Sequence, residues 1–349
     1  MSSRNPWATF PSGSAGGRRR RVSTQSWPLP TQQRGRSRKG SNPFAKLLRW
    51  IGTALFIIYT FLNLVGMLTD GDVSSDSRIQ EHYNNESYQI PQADSRPPAL
   101  PSPATYEQAK SFLVDNPIYD QQVFSPVRCD INPIDLSRAS ARQIEQHLND
   151  YTSCLMRVFG PAIEGAGFTA VRPPVTVYDG TIYTACGEMP EYNAAYCAAD
   201  QQVYFAKRLA DIFPREYLDV PFVAESVLAH EFGHAIQGRT GILISERAYE
   251  QQLSELDALE FSRRTEVQAD CWAGQFNSSV NDSIGIGASD QRRLASFFST
   301  LGDDALTGDP NAVGNHGRGE SRQRWYTTGT QETSMGACNT FVAPSNTVK

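Results

Sequence analysis

The first 49 residues contain no aspartate or glutamate, and the first 128 contain no cysteine. Eleven lysines and arginines lie in that acid-free stretch, so the chain begins with a basic head. The other 300 residues carry 21 basic and 37 acidic side chains, a division by charge that suits two compartments. The acidic body has no basic patch interleaved with aromatics, which argues against a nucleic-acid partner. No cysteines show zinc-knuckle spacing, so cysteine is not expected to hold a metal. No internal repeat is visible.

A third absence separates head from body. From Trp50 to Leu68, nineteen residues carry no formal charge, and Leu55, Phe56, Ile57, Ile58, Phe61, Leu62 and Leu64 lie among them. That length matches the roughly 20 helical residues needed to cross a bilayer; the alternative is a buried core helix. No small-x-small site follows Leu68, which argues against a cleaved signal peptide. Arginines and lysines precede the span, while Asp70, Asp72 and Asp76 follow it. The positive-inside bias then keeps the amino terminus cytoplasmic and exports the body. Residues 1–46 are expected to be a disordered basic tail, 47–69 a transmembrane helix, and 70–104 a proline-rich polar spacer. Residues 105–343 form the folded domain.

All six cysteines lie in the exported part, where an oxidising compartment permits disulfides. Several pairings are open, including reduced buried thiols. The expected set is Cys129–Cys154, Cys186–Cys197 and Cys271–Cys338, two neighbouring pairs and one tie from the tail to a central helix.

Within the body, Ile144, Leu148, Tyr151, Leu155 and Val158 recur at threes and fours, predicting a helix over 136–166. Val175–Tyr178 and Ile182–Ala185 read as strands joined by a turn at Asp179-Gly180-Thr181, with Val203–Phe205 a third strand. Helical patterns follow at 221–238, 250–281, 288–301 and 317–327. Strands followed by helices indicate an α+β fold, mostly helical with a small sheet.

His230-Glu231-Phe232-Gly233-His234 carries the sharpest chemical meaning. Two histidines at i and i+4 stand on one helical face, where both imidazoles reach one metal ion. Glu231 projects about a quarter-turn away and can act as a base on water without occupying a coordination position. Pro221 suits the first turn of this helix, and Gly238 and Gly241 mark its exit. Ala224, Leu228, Phe232 and Ala235 would pack the opposite face on the core. Glu266-Val267-Gln268-Ala269-Asp270 follows 32 residues beyond His234. Two histidines and one carboxylate, with a fourth position open, make a catalytic zinc set. Asp270 would then accept the remaining N–H of a ligand histidine. The bland alternative is an acidic face paired with Arg263 or Arg264. His316 and Tyr326 are candidates for stabilising the oxyanion.

These segments together resemble the bacterial "putative neutral zinc metallopeptidase" family. The resemblance runs from about Ile163 to Phe341 through Cys197-Ala198-Ala199-Asp200, the 230–237 and 266–274 segments, His316-Gly317 with Arg322, Arg324 and Trp325, and Cys338-Asn339-Thr340-Phe341. The family usually has proline at the Ala198 position and an acidic residue at Asn339. The resemblance implies a zincin-type fold, zinc as cofactor, His230 and His234 as ligands, and Glu231 as catalytic. By analogy with gluzincins it adds Glu266 as third ligand and Asp270 behind it. The expected activity is hydrolysis of a peptide or protein substrate outside the cytoplasm. The alternatives are a catalytically silent zincin-fold binding or scaffold protein, and a cell-wall peptide amidase. A strand near Val203–Phe205 is expected at the edge that aligns an extended substrate.

Overall fold

The computed structural model describes residues 83–349. The expected cytoplasmic tail, transmembrane helix and first part of the spacer lie outside the described residues. Among the described residues, no helix is long and apolar enough to cross a membrane.

The fold is α+β and mostly helical. Helix α1 spans Tyr106–Val114 and begins where the Thr105 side chain accepts from Gln108 N. Helix α2 spans Ala141–Gly165 and opens with a reciprocal cap, Ser140 Oγ accepting from Gln143 N while Gln143 reaches back to Ser140 N. The cap trims the expected 136–166 segment at its start. Ile144, Leu148, Tyr151, Leu155 and Val158 are all buried along α2.

Strands β1 (Val175–Tyr178), β4 (Ala194–Cys197) and β5 (Gln202–Ala206) make a three-stranded sheet in the order β1-β5-β4. β1 runs parallel to β5, and β4 antiparallel to it. β2 (Ile182–Thr184) and β3 (Gly187–Met189) form a separate antiparallel pair. The chain does turn at Gly180, whose φ is +79°, but it leads from one sheet to the other rather than closing a hairpin. β1 takes its partner from β5 instead. Val203–Phe205 thereby lies in the centre of the sheet, not at its edge; the edges are β1 and β4.

Helices α3 (Val223–Arg239) and α4 (Ile242–Glu250) follow, then α5 (Glu255–Ile284), α6 (Ala288–Ser299), α7 (Asp303–Thr307) and α8 (Gly319–Gln331). The continuous pattern expected over 250–281 conceals a break before Ser254, which caps α5 by accepting from Asp257 N. Pro221 lies outside α3, because Phe222 enters it with a φ of +63°. Every residue of α3 except His234 is buried, so this helix runs through the core instead of presenting one open face.

Residues 83–104 do not stand off as a spacer. Tyr83 is buried, Asn84 and Ala93 make β-bridges to Val127 and Arg172, and Pro98 O accepts from Arg239 and Gln201. The carboxyl end is equally engaged beyond residue 343: Arg318 N donates to Lys349 O at 2.6 Å, and Trp325 Nε1 donates to Thr347 O. The three cysteine pairs are those expected: Cys129–Cys154, Cys186–Cys197 and Cys271–Cys338.

Candidate metal centre

α3 carries His230 and His234 one turn apart, and the crossing helix α5 brings Glu266 to them. His230 Nε2 lies 3.1 Å from His234 Nε2. Glu266 sets Oε2 at 3.4 Å from the first ring and Oε1 at 3.4 Å from the second. Zinc bonds of about 2.0–2.1 Å at tetrahedral angles would hold such donors about 3.3 Å apart. The three residues are the group of potential metal donors found together among the described residues.

The outer atoms of each ring show which nitrogen faces the centre. His234 Nδ1 lies 2.8 Å from Gln237 Oε1. The amide of Gln237 is oriented by its Nε2, which donates to Thr265 O and to Gln268 Oε1. His230 Nδ1 lies 2.8 Å from Asp270 Oδ1. With His234 Nδ1 hydrogen-bonded to Gln237 and His230 Nδ1 beside Asp270, both Nε2 atoms face inward beside a carboxylate. Three electron-rich groups so placed can hold a cation between them, and imidazole with carboxylate is a donor set that suits zinc. The residues therefore fit the metal.

Asp270 is fully buried and is gripped by Arg322, whose Nε and Nη2 donate to its two oxygens at 2.9 and 2.8 Å. Arg322 Nη1 also lies 3.6 Å from Glu266 Oε2. Arg263 and Arg264, the alternative partners for these acids, turn elsewhere. Arg263 donates to Val348 O and Gly314 O, and Arg264 pairs with Glu260. Burial raises the Glu266 carboxyl, but His234 and His230 outweigh it and hold the group well below its ordinary range.

Glu231 reaches over from α3 to β4, where Tyr196 N donates to its Oε2 at 2.8 Å. Burial pushes its carboxyl above the usual range. His316 lies on the rim of the same cleft, its Nδ1 3.2 Å from Asp303 Oδ1. Asp303 Oδ2 accepts from Gly314 N and Gly317 N, fixing the loop that carries the histidine. Tyr326 is a different matter. Its ring is fully buried and stacked on Phe298 at 4.3 Å, and its hydroxyl accepts from Asn277 Nδ2. It does not line the cleft, which removes it from the candidates for the oxyanion.

The cleft has a volume of about 510 Å³. β4 and the two residues before it form one border with Tyr192 to Tyr196, apolar Leu209, Ile212, Phe213 and Val227 a second, and α4 with Leu243, Ile244, Glu246 and Arg247 a third. Gln237, Asp303 and Arg322 serve the site without having been singled out by sequence. Asp303 and Arg322 act through partners that local spacing does not predict, whereas Gln237 is one turn from His234 on the same helix. Gln237 and Arg322 do fall within the segments that carry the family resemblance.

A helix pair presenting two imidazoles and a carboxylate to one cleft, with an acid beside them, is a candidate metal centre with the donor set of a metallohydrolase. The chain belongs to the family described as "putative neutral zinc metallopeptidase", whose model matches residues 134–341. It is 30% identical to the uncharacterized protein Rv2575 of Mycobacterium tuberculosis over 219 residues, covering 56% of this chain and 72% of the relative. The uncharacterized protein YpfJ of Escherichia coli K12 is 29% identical over 191 residues, covering 52% of this chain and 66% of the relative. No solved structure gives a significant match.

Proposed function

We propose that this chain is a zinc-dependent peptidase that hydrolyses peptide bonds in the cleft between β4, α4 and the His316 loop. The observation that carries the reading is the convergence of His230 Nε2, His234 Nε2 and Glu266 within 3.1–3.4 Å, beside a separate carboxylate held on an edge strand. His230, His234 and Glu266 would hold the zinc. When bound, the zinc supplies Lewis acidity towards water and the substrate carbonyl.

The chain's own residues supply the rest. The backbone N–H of Tyr196 orients Glu231, which takes a proton from the attacking water and returns it to the leaving amine. His316, braced by Asp303, donates towards the carbonyl oxygen as negative charge develops there. β4 has β5 on one side only, so an extended substrate can pair along its other edge beside the metal donors. Asp270 and Arg322 keep the His230 ring turned inward.

The proposal extends to location. The uncharged run at 50–68 behind a basic head supports a single membrane span, with residues 83–349 outside the cytoplasm. Three disulfides in the body suit an oxidising compartment. A binding-only role is disfavoured by the retained base, since Glu231 has no part in holding the metal.

Glu231→Gln tests the chemistry. The variant keeps its zinc and loses turnover of a broad peptide library by about 10²–10⁴-fold. Zinc-loaded Glu231→Gln with undiminished turnover would overturn the mechanism. Wild-type protein that binds zinc but cleaves no peptide would favour the scaffold reading, and cleavage confined to cell-wall peptides would favour the amidase.

A further inference from the structure

Among the described residues, buried carboxylates have a partner on at least one oxygen, with one exception. Asp270 has Arg322, Glu231 has Tyr196 N, and Glu225 accepts from Ile134 N and contacts His147. Glu246 is only 1% exposed, yet it forms part of the cleft wall and neither of its oxygens has a hydrogen-bond partner. Among the described residues no other carboxylate has both oxygens in that condition.

Its neighbours supply no N–H donor within hydrogen-bond reach. Arg247 Nε lies 3.6 Å from Glu246 Oε2, beyond hydrogen-bond reach, and Arg247 Nη1 donates instead to Glu250 at 2.8 Å. Glu250, one turn along the same helix, lies close enough to share a proton with Glu246, so two acids compete for one arginine. Burial and the nearby Glu250 push the Glu246 carboxyl well above its ordinary range. Such a group gains strongly from any cation that arrives. A carboxylate serving structure alone would be expected to have its lone pairs filled from within the protein.

The geometry points to Glu246 as a specificity-determining residue that receives a lysine or arginine side chain of the substrate in the α4 wall of the cleft. The ammonium or guanidinium head supplies the missing donors. Its alkyl stem lies along Leu243 and Ile244, which line the same wall. The inference rests on the peptidase reading for the identity of the ligand, but not for its binding.

The test separates the two. Zinc-loaded full chain carrying Glu231→Gln is titrated with two acetylated, amidated pentapeptides, alanine throughout except for a central lysine or norleucine. The lysine peptide binds about tenfold more tightly. Adding Glu246→Gln removes that difference and leaves the norleucine affinity unchanged. Equal affinity for both peptides, no measurable binding of either, or a parallel loss of both on Glu246→Gln would overturn the assignment. The lysine–norleucine comparison stands without the second substitution, should that variant fail to fold. Turnover of the same peptides by wild-type protein is scored apart: discrimination without cleavage upholds Glu246 and contradicts the peptidase reading.

Discussion

Arg322 and Asp270 are both buried and both charged, an arrangement that folding tolerates only when the two satisfy each other. Two parallel hydrogen bonds do so, and the Asp270 Oδ1 that accepts from Arg322 also lies 2.8 Å from His230 Nδ1. Desolvation works against the Arg322 cation, but Asp270 and Glu266 offset it and raise its pKa. Arg322→Met would therefore strand an uncompensated acid behind a metal ligand. The expected outcome is a loss of about 3–5 kcal/mol in urea unfolding and a fall of about 10–100-fold in zinc affinity, read by competition with a chromophoric chelator. Unchanged zinc affinity would show that Arg322 plays no part in holding the ring. The histidine pair was legible in sequence because i, i+4 spacing fixes a shared helical face, whereas Glu266, 32 residues beyond His234, followed only from the third ligand such a pair calls for and from the family resemblance. Arg322 is 52 residues from Asp270, and Gln268 is 31 from Gln237, distances at which spacing says nothing. Tyr326 misled for a related reason: it lies one turn from Arg322 on α8, but faces Phe298 and Asn277 in the core.

At the scale of elements, the centre exists because α3 and α5 cross closely at the right place. Gly233, inside the histidine motif, faces Ala269 of α5. A Cβ at position 233 would lie 2.8 Å from the Ala269 Cα and 2.9 Å from its Cβ. Ala269 immediately precedes Asp270 and lies three residues after Glu266, so the point of nearest approach is also the level of the metal donors. Gly274 and Gly329 serve the same purpose where α5 meets α8, each facing the backbone of the other helix. Gly233→Ala should force the first pair apart, at a cost of about 1–3 kcal/mol, and weaken zinc binding along with thermal stability. A variant with wild-type melting and zinc affinity would mean that the crossing is more yielding than its geometry implies. The helices themselves were largely visible from apolar periodicity. Strand pairing was not: β1 and β5 are partners across the whole β2–β4 segment, and a turn signal at Gly180 reports only that the chain turns. The break before α5 was hidden by periodicity that continues through it, although Ser254 and Asp257 carry a capping pattern.

At the scale of the molecule, the body is larger at both ends than composition suggests. Proline and polar residues at 83–104 read as a spacer, yet prolines also suit an extended strap whose carbonyls serve other segments. Pro98 O does so for Arg239, a buried cation that also uses Thr169 O and Gln201 Oε1. The carboxyl-terminal residues close over Arg263 and Trp325. The disulfide set was accessible because two bridges join sequence neighbours and leave the third determined. Residues 83–349 are accordingly the smallest body that keeps these contacts. The most direct measurement is the zinc content of that body after exhaustive dialysis, by elemental mass spectrometry, for wild type and for His234→Ala and Glu266→Gln. The account predicts one zinc per wild-type chain and less than about a tenth of that in either variant. Retention of a full equivalent by both variants, or its absence from wild type refolded with zinc, would contradict a centre built from these three side chains.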